Sequence, residues 1–401
     1  MVLHLGYSYQ PITPSLARPV YLAGFGQDRV ARSVHDHLYV RALALQQGET
    51  RLVLAALDLI GLGRQHCQEI ERRVKEHVPA TRTIIACTHT HHGPDTIGLW
   101  GPDQFTRGVD EAYLATLKDK IVETIIASIQ MRRPATTVRA ASVHVPHIAK
   151  NARDPQVADD ELTCLQFCDP SGEPLATLLI FPCHPEVLWE SNPHITSDYV
   201  HALRREVEAA TTAPCLFFVG ALGGMMTPDV KEHSFEEAEA MGVRLATAAV
   251  EALRDPQCPT RIDQYGLSHK QHDYAIPMKS PLFDLAIQSG LLLNPLQDGA
   301  VFTEANLLKI GPAWLATAPG ELLPKLGLKI KAELRAAGAV VSAVIGLAND
   351  ELGYILPIED YAYPEDAFEP GAHYEETMSI GPEAGPSWMA AVQALLVEDK
   401  R

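Results

Sequence analysis

Short apolar runs rich in β-branched residues recur along the chain, and amphipathic segments of ten to twenty residues fill the intervals between them. That alternation constrains the fold more than any other feature, because strand, helix and strand in succession is the pattern of α/β architecture. Strand-like runs fall at 52–57, 83–87, 138–145, 216–219, 307–310, 314–317 and 340–345. A hairpin pairs 162–167 with 176–181 around Asp169-Pro170-Ser171-Gly172. Helical spacing covers 65–78, 111–130, 198–210, 236–253, 322–336 and 388–396. The expected fold is α/β, with mixed sheets covered by helices in a single unit over 1–401. The stretch 273–299 is the least regular and most apolar, and reads either as a pocket wall or lid or as a helix packed on the core.

Charge narrows the partners. The 33 basic and 50 acidic side chains leave a net charge of −17, a surface that repels nucleic acid and anionic membranes. No stretch reaches the ~18 apolar residues of a membrane span, and the amino terminus lacks a basic segment followed by a long apolar run. Stable membrane insertion is therefore not expected. Seven cysteines (67, 87, 164, 168, 183, 215 and 258) are an odd number without a CxxC pair, as expected of buried thiols in a reducing, cytoplasmic setting. Neither composition nor motifs indicate an oligomeric state.

The chemistry gathers where strand runs end. The run 83–87 leads into Thr88-His89-Thr90-His91-His92-Gly93-Pro94-Asp95. In an extended chain residues i and i+2 share a face, so His89 and His91 point together while His92 points elsewhere. The run 176–181 leads to His184-Pro185, 314–317 to Pro319-Gly320-Glu321, and 340–345 to Asn349 and Tyr354. Ligand sites in open α/β sheets lie outside strand carboxyl ends. Two imidazoles, a carboxylate and a phenol meeting there would make an N2O2 site suited to zinc. The plainer alternatives are a satisfied core histidine at His184, a helix-start charge at Glu321 and a packed aromatic at Tyr354. Asp58 reads as the orienting carboxylate of a ligand histidine or as a turn residue, and Asp36 with Arg41 as an ion pair. Ser234 is placed to cap the helix that begins with Glu236 and Glu237.

In order along nearly the whole chain, Ile12-Thr13-Pro14, Tyr21-Leu22-Ala23-Gly24-Phe25-Gly26, Val34-His35-Asp36, Asp58-Leu59-Ile60-Gly61-Leu62, the histidine run, His184-Pro185, Pro319-Gly320-Glu321, Gly353-Tyr354 and Tyr374-Glu375 resemble the amino-terminal catalytic domain of neutral/alkaline ceramidases. The resemblance implies a ceramidase-like fold and one zinc per chain held by His89, His184, Glu321 and Tyr354. It assigns His91 to oxyanion or proton-transfer help, Tyr374 to the scissile amide, and hydrolysis of the C–N bond to zinc-activated water.

Departures modify that expectation. The family's GDVSPN segment stands here as Gly224-Met225-Met226-Thr227-Pro228-Asp229, so Met225 replaces an acid and Thr227 carries the hydroxyl. His92 replaces a serine, and Asn151-Ala152-Arg153 moves the head-group contact to Arg153, with Tyr361 as a further candidate contact. Full members continue into an immunoglobulin-like domain beyond the helix near Trp388. The expected substrate is accordingly a small-molecule amide, smaller or more soluble than ceramide. The alternatives are a binuclear lactone or ester hydrolase using His89, His91 and His92, and a non-catalytic ligand-binding member of the fold.

Overall fold

The computed structural model describes residues 2–257, 260–262 and 266–398. The first sheet contains β1 (Leu3–Pro11), β2 (Tyr39–Gln47), β3 (Thr50–Leu57) and β4 (Thr81–Cys87), ordered β4-β3-β2-β1 with Arg133–Ala135 beyond β1. Only β3 and β4 run parallel, from Arg51 opposite Thr81 to Leu57 opposite Cys87. A parallel pair needs a crossover, and α1 (Arg64–His77) supplies it; α2 (Glu111–Gln130) packs on β1 and β2.

The second sheet repeats this plan with β5 (Thr137–His144), β6 (Glu161–Cys168), β7 (Pro174–Phe181) and β8 (Cys215–Val219), ordered β8-β7-β6-β5 with Thr260–Ile262 at the far edge. Here β7 and β8 are parallel and α3 (Tyr199–Thr211) crosses between them. After it, α4 (Phe235–Arg254) begins with Ser234 accepting a hydrogen bond from the Glu237 amide, as its sequence indicates. The third sheet orders β9 (Leu267–Pro277), β10 (Ala300–Ile310), β11 (Ala313–Thr317) and β12 (Val341–Ile345) side by side, with β11 and β12 parallel. Between these strands lie α5 (Pro281–Gln288) and α6 (Pro324–Ala336); α7 (Tyr374–Thr377) and α8 (Ala384–Glu398) follow. Leu54, Ile180 and Leu315, one from each sheet, share one apolar cluster, while α1 to α4 cover the outer faces of the first two sheets. None of the helices among the described residues is long and apolar enough to cross a membrane.

The parallel pairs are buried on both faces, which is why their sequences read as continuous apolar runs. Their edges meet one another. The Cys87 amide donates to Leu347 O at 3.2 Å, Asn349 N to Ile85 O at 2.7 Å, and Gly346 N to Val219 O at 3.0 Å. Backbone groups that would be orphaned at three sheet edges thereby satisfy each other, and the strand carboxyl ends converge. Asn349 belongs to this seam: its side chain accepts from Ile85 N at 2.7 Å and donates to Glu304 Oε1 at 2.8 Å.

Three local expectations change. Asp58 touches no ligand histidine; it receives Arg204 in a two-pronged contact at 2.9 and 2.8 Å and the Tyr39 amide at 2.9 Å. Arg41 pairs with Glu208, not Asp36, and Asp36 instead takes hydrogen bonds from Thr196 and Ser197. The stretch 273–299 contains the end of β9 and then α5, and is more regular than its composition suggests. The sequence reading also passes over β1 and β2, since the first carries Gly6 and Pro11 and alternates with polar residues, and the second contains the charged Arg41. Cys67, Cys87, Cys183 and Cys215 are buried free thiols, Cys164 and Cys168 are also buried, and Cys258 lies outside the described residues.

The Asp58–Arg204 pair joins the end of β3 to α3 with both side chains buried. Removing one member leaves a buried charge without its partner, so Arg204→Ala is expected to lower unfolding free energy by about 3–5 kcal/mol. Equilibrium denaturation measures this; a change under ~1 kcal/mol would show the pair to be a minor contributor.

Candidate metal centre

Each site histidine is aimed by the loop that follows its strand. After β4 the chain turns sharply, with His89 at φ 64°, so the extended geometry ends before the histidines begin. The turn is held by Thr88 N donating to Leu57 O at 2.7 Å and His89 N to Leu59 O at 2.9 Å. The His89 Nδ1–H donates to Ile60 O at 2.5 Å, leaving Nε2 free. His184 repeats the arrangement after β7, with Nδ1 directed to Met226 O at 2.9 Å. Carbonyls in this role fix both the ring orientation and the tautomer of a ligand histidine.

The two free Nε2 atoms converge on one carboxylate oxygen. Glu321 Oε2 lies 3.0 Å from His184 Nε2 and 3.5 Å from His89 Nε2. A two-residue parallel pairing of Glu321–Leu322 with Tyr354–Ile355 sets Glu321 directly opposite Tyr354. The Tyr354 hydroxyl is buried and contacts Met225 Sδ at 3.4 Å. His89, His91 and His184 each offer a ligand atom within 4.8 Å of the others. Two imidazoles, a carboxylate and a nearby phenol form a donor set that fits a divalent ion such as zinc.

His91 differs from its neighbours. Its ring meets those of His89 and His184 at 5.1 and 5.4 Å, but its Nδ1 faces Glu186 Oε2 at 3.1 Å. Gly24, at φ 100°, lies flat against the imidazole: a Cβ there would come 2.3 Å from His91 Cγ. Glu186 is completely buried, and the Thr227 hydroxyl helps hold its charge. Burial would raise the Glu186 carboxyl, yet His91, His184 and Thr227 outweigh it and leave it at about 2. For His91 burial dominates the Glu186 charge and lowers the imidazole to about 4, so the ring is neutral at pH 7. His184 is desolvated too, but Glu186 and Glu321 together raise it to about 9. Glu321 is held well below the usual carboxylate range: burial opposes this, and His89 and His184 overcome it.

His89, His91, Glu321 and Tyr354 line a cavity of about 50 Å³, whereas His184 and Glu186 are not on its wall. Its apolar wall comes from Ile97, Leu99, Trp100, Phe283, Leu292 and Met378. Phe283 and Leu292 belong to the 273–299 stretch. Tyr374 and Glu351 complete the polar side. A larger hollow of about 380 Å³ near Thr13, Tyr21 and Asp110 has no histidine on its wall.

Of the residues singled out from sequence, His89, His91, His184, Glu321, Tyr354 and Tyr374 come together. Four others do not face the cavity. His92 is buried with Nε2 3.6 Å from Asp198 Oδ2, turned away as the turn after His91 requires. Arg153 is gripped by Glu375 and Glu376 at 2.8 Å each and by Asp360 O at 3.0 Å, so it braces α7 and contacts no cavity. Tyr361 packs beside it, its hydroxyl 3.5 Å from Glu376 O. Thr227 is buried and is not on the cavity wall. Two carboxyls were missed. Glu186 follows His184 by two positions, the same spacing that paired His89 with His91; Glu351 had no comparable signal.

Neither the protein-family models nor the curated proteins match this sequence. Among solved structures, the neutral ceramidase from Pseudomonas aeruginosa superposes with a TM-score of 0.79 at 18% identity, covering 99% of this chain and 75% of that one. A second, described as a ceramidase complexed with C2, gives 0.80 at 17% identity over 100% of this chain and 76% of its own. The chain therefore has a neutral-ceramidase-like α/β fold, with a buried histidine cluster where its three sheets meet.

Proposed function

We propose that this protein is a metal-dependent hydrolase, with one zinc ion per chain, that cleaves the C–N bond of a small N-acyl amide. The observation that carries this reading is the convergence of His89 and His184 Nε2 on Glu321 Oε2 at the floor of an apolar cavity, with His91 beside them. Residues 1–401 act as one catalytic unit in this reading, because the first sheet supplies His89, the second His184 and the third Glu321. A bound divalent ion would supply Lewis acidity and an activated water.

The chain's own residues divide the remaining work. Glu186 keeps the proton of His91 on Nδ1, so Nε2 is free to accept a proton and later deliver it to the departing nitrogen. Tyr374, on the cavity wall, has a phenolic O–H to direct at the amide oxygen as charge develops there, while Tyr354 would complete the donor set of the ion with His89, His184 and Glu321. Ile97, Leu99, Leu292 and Met378 exclude water and hold the acyl group. A cavity of about 50 Å³ favours a smaller amide over ceramide. His92, engaged near Asp198, does not join a second metal site, which disfavours the binuclear lactone or ester hydrolase. The buried free thiols support a cytoplasmic setting.

The test is amine release from a panel of N-acyl amides by chelator-treated protein before and after zinc is restored. Zinc-dependent release from short amides is expected. Metal uptake with no product from any amide or ester over long incubation would replace the hydrolase with a ligand-binding role.

A further inference from the structure

We propose that the amine portion of the substrate carries a second, protonated amino group, which Glu351 receives, so that the substrates are N-acylated diamines or similar amino-bearing amides. This rests on the amide-hydrolase reading above. Glu351 lines the same cavity as His89, Glu321 and Tyr354. Its Oε1 accepts the Gly353 amide at 3.0 Å, while its Oε2 is buried without a hydrogen-bond partner. Gly61 gives the side chain its space: a Cβ there would lie 2.8 Å from Glu351 Cγ.

The neighbouring carboxylates are already committed. Glu321 faces the two ligand imidazoles, and Asp350 receives Thr303 at 2.9 Å and the Arg64 amide at 3.0 Å. Of the two carboxylates on the cavity wall, Glu321 and Glu351, it is Glu351 that has an oxygen buried without a hydrogen-bond partner. No lysine or arginine is among the described residues lining the cavity. On its other side Glu351 borders a hollow of about 20 Å³ that Arg107 also lines; one Nη of that guanidinium lies 3.6 Å from Glu111, and its Nε is buried without a hydrogen-bond partner.

An acceptor buried without a donor is costly, and a ligand that brings the donor recovers that cost on binding. The rest of the wall suits a cation as well. Trp100, Phe283 and Tyr374 present aromatic rings to the cavity, and such faces attract ammonium groups. The net charge of −17 also draws cations towards the protein. A neutral alkyl amide would cover Glu351 with hydrocarbon; burial and the Glu321 charge push the Glu351 carboxyl up, and an ammonium beside its free oxygen would favour the ionised form where a hydroxyl supplies no compensating charge.

The experiment compares butyryl amides of ethylenediamine, ethanolamine and propylamine by calorimetry on the full chain, with and without zinc, alongside amine release. The ethylenediamine amide is expected to bind about 10–100-fold more tightly than the propylamine amide, with the ethanolamine amide between them. In Glu351→Gln that ratio should fall to within about threefold. Glu351→Asp, which keeps the charge, should retain part of it and guards against a folding defect in the first variant. Equal affinities in the wild type, a preference for the hydroxyl or alkyl ligand, binding of none of the three, or an undiminished ratio in Glu351→Gln would overturn the inference. Cation-selective binding without amine release would sink the hydrolase reading alone, and release without selectivity would sink this inference alone.

Discussion

His91→Ala is expected to retain its full complement of metal and to turn over substrate about 10²–10⁴-fold more slowly, the usual contribution of a positioned acid or base. The separation of binding from turnover follows from geometry. His89 and His184 direct Nδ1 to backbone carbonyls and Nε2 to Glu321, whereas His91 directs Nδ1 to a buried carboxylate. His91 is still close enough to be a ligand, since its nitrogen lies within 4.8 Å of the other two. Elemental analysis of the variant beside measured kcat therefore decides between two arrangements. Metal retained with kcat reduced supports His91 as the proton carrier. Metal lost would make the site a three-histidine one and transfer the proton-carrying role elsewhere. Full activity would remove His91 from the reaction altogether.

The second large effect is expected from Glu321→Gln, which should lose metal and activity together. The substitution preserves shape but replaces the carboxylate that the His89 and His184 imidazoles both face with a neutral amide. Removing an outer partner of a ligand typically weakens metal binding 10–100-fold, so removal of the charged ligand itself should exceed about 100-fold. Backbone contacts of Glu321 are unaffected by the change, since its amide donates to Gly353 O whatever the side chain. Far-ultraviolet circular dichroism of the metal-free proteins should accordingly be alike. A Glu321→Gln protein that holds zinc as firmly as wild type would show that the carboxylate is only an ion-pair partner of His184.

Both predictions concern residues legible before any fold was known. His89, His184, Glu321 and Tyr354 each follow an apolar run, and strand ends are where such sheets place ligands. The reason given for pairing His89 with His91 was less sound than the pairing itself. Strand geometry ends at Cys87, and the two rings come together through the turn at His89. Arg153, Tyr361 and His92 illustrate the opposite case. The resemblance to ceramidase motifs marked them for substrate, yet Arg153 is used up by two glutamates 222 and 223 positions away, which no local pattern displays. Glu186 obeys the i, i+2 spacing from His184, but only the fold shows that it faces His91.

By itself the sequence determined the alternation of strands and helices, the apolar character of the parallel strands and the chemical types of the site residues. These are properties of short windows, set by side-chain periodicity and by burial on one face or two. Only the tertiary structure decided that three sheet edges share one seam, that Glu186 stands behind His91, and that one Glu351 oxygen is buried without a hydrogen-bond partner. Those relations join residues distant in the chain, and they arise because buried polar groups must find partners wherever the packed sheets bring them.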